Sequence, residues 1–180
     1  RIALVTGSSR GLGQAAAVAL AEAGADIAVW DRSEVHETEK AVTALGRRFY
    51  AVQHDLQTVT VEDIRQEVAR IESGFGNIKI LVNNAGITQD ARLQKMTLEQ
   101  FDRVVDVNLR GVFHCSQAVA DVMVAQGSGV ILNASSVVGI YGNLGHTNYA
   151  ATKFGVIGFT KTWSSELGHK SRLLYKSDAS

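Results

Sequence analysis

The chain has 180 residues, 46% hydrophobic and 20% charged, with Lys+Arg and Asp+Glu both at 18 and a formal net charge of zero. That is enough chain for one domain, residues 1–180, with a sizeable core and an ordinary globular composition. The charge balance and the lack of any basic block exclude nucleic acid as the main partner, and no apolar run approaches the roughly 18 residues of a membrane span. The single cysteine, Cys115, excludes an internal disulfide and fits a reducing compartment, so a cytoplasmic location is expected. Cys115 lies in an apolar, helical run and reads as a core residue. Two features point to a partial chain. Arg1 leads at once into a strand-like run, and there is no proline, where average usage would give about nine.

In chain order, apolar strand-like runs alternate with helix-length segments. The strands are expected at Ile2–Val5, Asp26–Trp30, Phe49–Gln53, Ile80–Asn83 and Val130–Ala134. Leu12–Ala23 is alanine-rich and stops at Gly24, and Glu34–Leu45 stops at Gly46, both plausible helix ends. Thr60 can cap a helix with Glu62 and Asp63 in its first turn, where the helix dipole favours negative charge. Thr97-Leu98-Glu99-Gln100 matches a capping box. Phe101, Val104, Val105, Asn108, Leu109, Val112 and Phe113 then recur at helical spacing. Asn148–Leu167 reads as another helix. The alternation βαβαβαβαβα, with near-continuous apolar strands, predicts an α/β fold of the Rossmann type: a doubly wound parallel sheet with helices on both faces.

The first strand runs into "TGSSRGLGQ". Gly7, Gly11 and Gly13 stand between strand and helix, where glycine permits a tight turn and close approach to a pyrophosphate at the helix N-terminus. A glycine-rich turn without a ligand is the plainer reading. Asp31 ends the second strand, 18 residues after Gly13, near the place where a carboxylate binds ribose hydroxyls and repels a 2′-phosphate. Arg10 and Arg32 argue the other way, since both can attract that phosphate. The cofactor expected is NAD(P), with Asp31 tipping the choice to NAD. Asp31-Arg32 as a solvated strand end is the alternative.

Tyr149 stands four residues before Lys153, so on a helix the two share one face. An ammonium there favours the phenolate form of a neighbouring phenol. The pair reads either as a proton-transfer device or as two polar residues on an amphipathic helix.

Together these stretches resemble the classical short-chain dehydrogenase/reductase family. Thr6-Gly7-x-x-x-Gly11-x-Gly13 resembles its TGxxxGxG loop, Asn83-Asn84-Ala85-Gly86 its NNAG motif, and Tyr149-x-x-x-Lys153 its YxxxK, with Ser136 thirteen residues before the tyrosine. The match runs from Ile2 to about Leu167. "NNAGITQDARLQKM" and "SSVVGIYGNLGHTNYAATKFGVIGFTK" look most like the 3-oxoacyl-[acyl-carrier-protein] and acetoacetyl-CoA reductases. Sugar, polyol and steroid dehydrogenases share much of this wording.

The resemblance implies an oxidoreductase that interconverts a carbonyl and a secondary alcohol by hydride transfer. It implies a catalytic set of Asn108, Ser136, Tyr149 and Lys153. Tyr149 would be general acid in reduction, Lys153 would assist it and bind the nicotinamide ribose, Ser136 would hold the substrate oxygen, and Asn108 would hold a relay water. Gly7, Ser9, Arg10, Gly11, Leu12 and Gly13 would surround the pyrophosphate, Asp31 and Arg32 the adenosine ribose, and Asp55 and Leu56 the adenine. Asn84, Ala85 and Gly86 would line the cofactor through backbone, or be purely structural. Partners would be a small carbonyl or alcohol substrate and further copies of the chain, as a dimer or tetramer built on Phe101–Val124 and Asn148–Leu167. No metal is expected: the histidines lack ligand spacing. His146 has two readings, a substrate contact or a loop-shaping residue. Trp30 and Trp163 read as packing residues.

After Gly168 the chain reads "HKSRLLYKSDAS", where the family continues into a sixth strand, a Pro-Gly turn and a substrate-covering segment. Strand five is therefore expected to become a sheet edge, and a truncated, catalytically silent dinucleotide-binding protein stands as a competing reading.

Overall fold

The computed structural model describes residues 1–168 and the backbone of residues 172–176. Six strands form one parallel sheet: β1 (Ile2–Thr6), β2 (Asp26–Asp31), β3 (Phe49–Gln53), β4 (Ile78–Asn83), β5 (Ser128–Asn133) and β6 (Arg172–Lys176), in spatial order 3-2-1-4-5-6. Among the described residues seven α-helices accompany them: α1 (Gly11–Glu22), α2 (His36–Ala44), α3 (Val61–Arg70), α4 (Leu98–Val105), α5 (Gly111–Ala125), α6 (Val137–Tyr141) and α7 (Thr147–Gly168).

The apolar strands make sense because the inner ones are covered on both faces, while β3 at the sheet edge is only half-buried. Alternate residues of a strand point to opposite sides. Ile2 and Leu4 of β1, with Ala28 and Trp30 of β2, pack against Ile64 and Val68 of α3 and Cys115, Val119 and Met123 of α5. Ala3 and Val5, with Ile27 and Val29, pack on the other side against Ala17 and Ala21 of α1 and Val42 of α2. Burial pushes the Cys115 thiol up to about 12, in keeping with a core residue.

The helix starts follow the sequence. Thr60 and Thr97 each form a reciprocal capping box, with Asp63 and Gln100 respectively. Gly24 and Gly46 adopt positive φ just beyond α1 and α2. Two features differ from expectation. The single helix expected through Phe113 is interrupted by a π-helical turn, Asp106–Arg110, in which the Gly111 N–H reaches back to the Asp106 carbonyl. The inserted residue lets the consecutive Val107 and Asn108 both be buried, which a regular helix face does not favour. The second difference is β6. It pairs parallel with β5, from Ser128↔Arg172 to Leu132↔Lys176, so β5 is not a sheet edge. Only Leu173-Leu174-Tyr175 is apolar there, too short a run to announce a strand, and basic residues flank it. The Asp26 to Trp30 and Val130 to Ala134 boundaries move by one or two residues, and β4 starts earlier, at Ile78.

The order 3-2-1-4-5-6 reverses direction between β1 and β4. Ligands of such sheets bind at that crevice, at the carboxyl ends of the strands. The chain reaches this point through Gly7 and Gly13. A Cβ on Gly13 would lie 2.0 Å from the Gly7 carbonyl oxygen and 2.4 Å from Asn84 Nδ2. Gly158, by contrast, faces open space on α7. Gly13→Ala is therefore expected to cost about 3 kcal/mol or more in denaturant unfolding, and Gly158→Ala to be neutral or stabilising by up to about 1 kcal/mol.

Candidate active site

Above the carboxyl ends of β1, β2 and β4 lies an open cleft of about 410 Å³. Its rim carries Gly7, Ser9, Arg10, Gly11 and Leu12 from the glycine loop, Asp31 and Arg32 after β2, Asp55 and Leu56 after β3, and Asn84, Ala85 and Gly86 after β4. The loop is built to meet a ligand. Gly11 has φ +61 with nothing near its Cβ position, and Leu12 is 82% exposed beside the cleft. No side chain caps the N-terminus of α1, so its first N–H groups are free for an anion. These features fit the pyrophosphate of a dinucleotide.

A network of backbone and side-chain bonds fixes the loop against β4. Thr6 Oγ1 accepts from the Asn84 and Ala85 N–H groups, both at 3.1 Å. Asn84 Nδ2 donates to the Gly7 carbonyl at 2.8 Å and to the Thr6 carbonyl at 3.2 Å. A Cβ on Gly7 would stand 2.6 Å from Ala85 Cα, so the two turns touch through backbone. Asp31 ties the loop from the other side. Its carboxylate accepts from the Ser9 N–H at 2.7 Å and the Ser33 N–H at 2.9 Å.

The second cluster sits where the cleft reaches Gly86. A Cβ there would be 3.4 Å from Asn108 Oδ1 and 3.6 Å from Lys153 Nζ. Glycine thus leaves a notch between the carboxamide and the ammonium. Lys153 Nζ donates to the Ala134 carbonyl at 2.6 Å, and lies 5.7 Å from the Tyr149 ring centre, one helical turn earlier on α7. Burial brings the Lys153 ammonium down to about 8. Ser136 caps α6, its hydroxyl accepting from the Val138 N–H at 3.2 Å. α6 lies hard against α7: a Cβ on Gly139 would be 2.8 Å from the Phe154 nitrogen, and Ser135 Oγ donates to the Lys153 carbonyl at 2.9 Å. Ser136, Tyr149 and Lys153 are thereby held by one packed pair of helices at the end of β5.

The family comparison agrees with this geometry. The profile of the short chain dehydrogenase family matches residues 1–171. The chain belongs to that family. A 3-oxoacyl-[acyl-carrier-protein] reductase, FabG, of Thermotoga maritima is 42% identical over 171 residues, covering 95% of this chain and 70% of that protein. The FabG of Staphylococcus epidermidis and the reductase of Synechocystis sp. are also 42% identical, each with 69% of its length covered. Among solved structures, one described as a short-chain alcohol dehydrogenase from Sinorhizobium meliloti superposes with a TM-score of 0.92 at 35% identity, covering 98% of this chain and 70% of that one. The chain is thus an oxidoreductase of the classical short-chain type, similar to 3-oxoacyl reductases.

Within this dehydrogenase several of the expected site residues make structural contacts. Gly13 does not line the cleft; it lies behind Gly7, where there is no room for a side chain. The Asn84 side chain braces the glycine loop rather than facing the cleft opening. Asn108 is fully buried and its carboxamide is largely spent: Oδ1 accepts from the Ile87 N–H at 2.8 Å, and Nδ2 donates to the Ile87 carbonyl at 2.9 Å and to Thr152 at 3.4 Å. Through these bonds its side chain clamps the segment after Gly86. His146 shapes its loop. Nδ1 contacts the Leu144 carbonyl at 3.0 Å, Nε2 lies 3.7 Å from the Asp90 carboxylate, and the ring stands edge-on to Tyr149 at 5.8 Å.

Trp30 is fully buried, and Trp163 stacks on Phe159 at 4.8 Å, so both are packing residues as expected. No metal-binding group occurs among the described residues; His169 lies outside them. No helix among the described residues is long and apolar enough to cross a membrane. Sequence reasoning missed Trp30, Ser33, His54, Gln57, Ile87, Arg103 and Val107 as cleft walls. The family motifs do not name them, and only their nearness in sequence to Asp31, Asp55 and Gly86 hints at the first five.

Lys153 carries a cost that pH should reveal. Its pKa is about 8 when folded, against about 10.4 for a free lysine. Below pH 8 the group is charged in both states and the full burial cost applies. Between about 8 and 10 the unfolded chain holds the proton longer, so this group raises stability as pH rises. Lys153→Met should therefore be more stable than the native chain at pH 7, by roughly 1–3 kcal/mol, with the gap closing towards pH 10. Denaturant titrations of both proteins at pH 7 and 10 check this.

Proposed function

We propose that the protein is an NAD(P)-dependent reductase of 3-oxoacyl thioesters, running reversibly towards the secondary alcohol. The observation that carries the reading is the Gly86 notch. It joins the dinucleotide-shaped cleft to Lys153 and, through α7, to Tyr149. The similarity to 3-oxoacyl-[acyl-carrier-protein] reductases supports the thioester substrate.

In this reading Gly7, Ser9, Arg10, Gly11 and Leu12 hold the pyrophosphate at the start of α1, with Asp31 and Arg32 at the adenosine ribose and Asp55 and Leu56 at the adenine. Ala85 and Gly86 lie along the cofactor. The bound nicotinamide supplies a hydride. Tyr149 delivers the proton to the carbonyl oxygen, and Ser136 donates a hydrogen bond to that oxygen as negative charge grows on it. Lys153, beside the phenol, favours loss of that proton, and its remaining N–H groups are available to a ribose hydroxyl. Asn108 keeps Ile87, and with it Gly86, in place. Asp31 favours NAD: its carboxylate would meet a 2′-phosphate directly, although Arg10 and Arg32 flank it.

A polyol or sugar alcohol is the second substrate reading, favoured by the polar Asp90–His146 pair beside Tyr149. We place the protein in the cytoplasm as a homodimer joined along α5 and α7, where Phe113 lies exposed beside the Phe159–Trp163 stack and Phe154 is exposed on α7.

Absorbance-monitored oxidation of NADH and NADPH with acetoacetyl-CoA, beside a polyol panel run in reverse, tests the reading. Tyr149→Phe is expected to lower kcat by about 10²–10⁴-fold without weakening cofactor binding; unchanged turnover would remove the proton-transfer role. Asp31→Ala is expected to shift the NADH-to-NADPH ratio of kcat/KM towards NADPH by about tenfold, in line with loss of one charge repulsion.

A further inference from the structure

The charges around the cleft do not balance, and one of them has no assigned task. Its walls carry Arg10, Arg32 and Arg103 against Asp31 and Asp55. Both carboxylates are already engaged by backbone: Asp31 by the Ser9 and Ser33 N–H groups, Asp55 by the Gln57 N–H at 2.9 Å. The three arginine side chains make no ion pair or hydrogen bond among the described residues. Arg48, Arg70 and Arg110 each pair with a carboxylate, whereas Arg65 and Arg92 on the outer surface are unpaired among the described residues, like the three cleft arginines.

Arg103 stands apart from the other two. Arg32 follows Asp31 at the ribose end assigned above, and Arg10 belongs to the glycine loop assigned to the pyrophosphate. Arg103 comes from α4, on the wall shared with Ile87 and Val107. Its Nε is walled in and has no hydrogen-bond partner. An unpaired buried donor on a cation is costly unless something offsets it. Holding Nε in that wall also fixes the plane of the guanidinium, while its terminal amino groups are not among the buried, unpartnered atoms and so reach open space. A half-buried, pre-oriented and unpaired guanidinium facing a cleft is suited to a phosphate, which it meets with two parallel N–H donors.

We infer that Arg103 binds the diphosphate charge of the dinucleotide from the α4 wall of the cleft. The inference rests on the dinucleotide reading of this cleft. It makes α4 a part of the cofactor site, although no motif of the glycine loop or of the Asn83–Gly86 turn includes it.

Calorimetric titration of ADP-ribose and of adenosine into the wild type and into R103Q and R103K tests it without turnover. R103Q is expected to weaken ADP-ribose binding by roughly 10–100-fold and to leave adenosine unchanged, because one charge-assisted contact to phosphate is lost. R103K, which keeps the charge but loses the paired donors, is expected to fall between the wild type and R103Q. The R103Q deficit should shrink as KCl is raised, since salt screens the contact. If R103Q melts early, R103M, which keeps the aliphatic stem, replaces it under the same criteria. Equal binding of ADP-ribose by wild type and variant overturns the inference and leaves the dinucleotide reading intact. Equal losses for ADP-ribose and adenosine also overturn it, pointing to stacking or to wall packing instead. A wild type that binds neither ADP-ribose nor NADH removes the dinucleotide reading itself and this inference with it.

Discussion

The contact on which the rest of the structure depends is the one between the first strand's exit and the fourth's. Thr6 and Gly7 meet Asn84 and Ala85 so closely that neither Gly7 nor Gly13 has room for a methyl group. Thr6 Oγ1 takes two N–H groups of the facing turn, and Asn84 Nδ2 takes two carbonyls of the glycine loop. These bonds satisfy backbone groups that two bent loops would otherwise leave unpaired in a half-buried place. They also set the phosphate loop and Gly86 in register. Because Gly86 abuts Lys153 and Asn108, the same contact determines where the chemistry stands relative to the cleft.

Behind that contact lies a buried polar chain that reaches the catalytic helix. Asn83 Nδ2 donates to Ser116 on α5 and to Asn133 on β5, both at 2.8 Å, and Asn133 Nδ2 donates to Thr160 on α7 at 3.0 Å. Apolar packing alone permits small slides of a helix over a sheet. Directional bonds between buried partners do not, since each slide would leave a donor or acceptor unpaired. Lys153 adds a further tie through the Ala134 carbonyl, at the cost of burying an ammonium.

Much of this was legible in the sequence, for reasons that differ by residue. β1, β2 and β4 announce themselves because a strand covered on both faces must be apolar throughout, and β3 and β5 through their short β-branched and aromatic runs. The caps at Thr60 and Thr97 are local chemistry and needed no tertiary information. β6 was not legible, since three apolar residues between charges carry no periodicity. The π-helical turn at Asp106–Arg110 was hidden for the opposite reason: the apolar spacing runs through it, and only the backbone bonds change. Among the candidate site residues, Tyr149, Lys153 and Ser136 are brought together by the packing of α6 on α7. The spacing could not reveal that Asn108 spends its carboxamide on Ile87, or that Gly13 supports the loop from behind. Arg103 was missed because it lies off the apolar stripe of α4, and an arginine on a helix normally reads as a solvated face.

The sheet order has a consequence for how the chain comes into being. β1 pairs with β2 across a short connection, but its other neighbour, β4, ends at Asn83, well after β3 ends at Gln53. At about 5–20 residues per second of synthesis, the apolar edge of β1 still waits roughly 2–6 s for that partner after β3 is complete. During the wait, Ala3, Leu4 and Val5 offer unpaired backbone to any passing strand. The glycine loop is equally unfinished, because Asn84 has not arrived to hold it. Chaperone demand should therefore be greatest on nascent chains halted between about residues 53 and 83, before the two halves of the sheet have met.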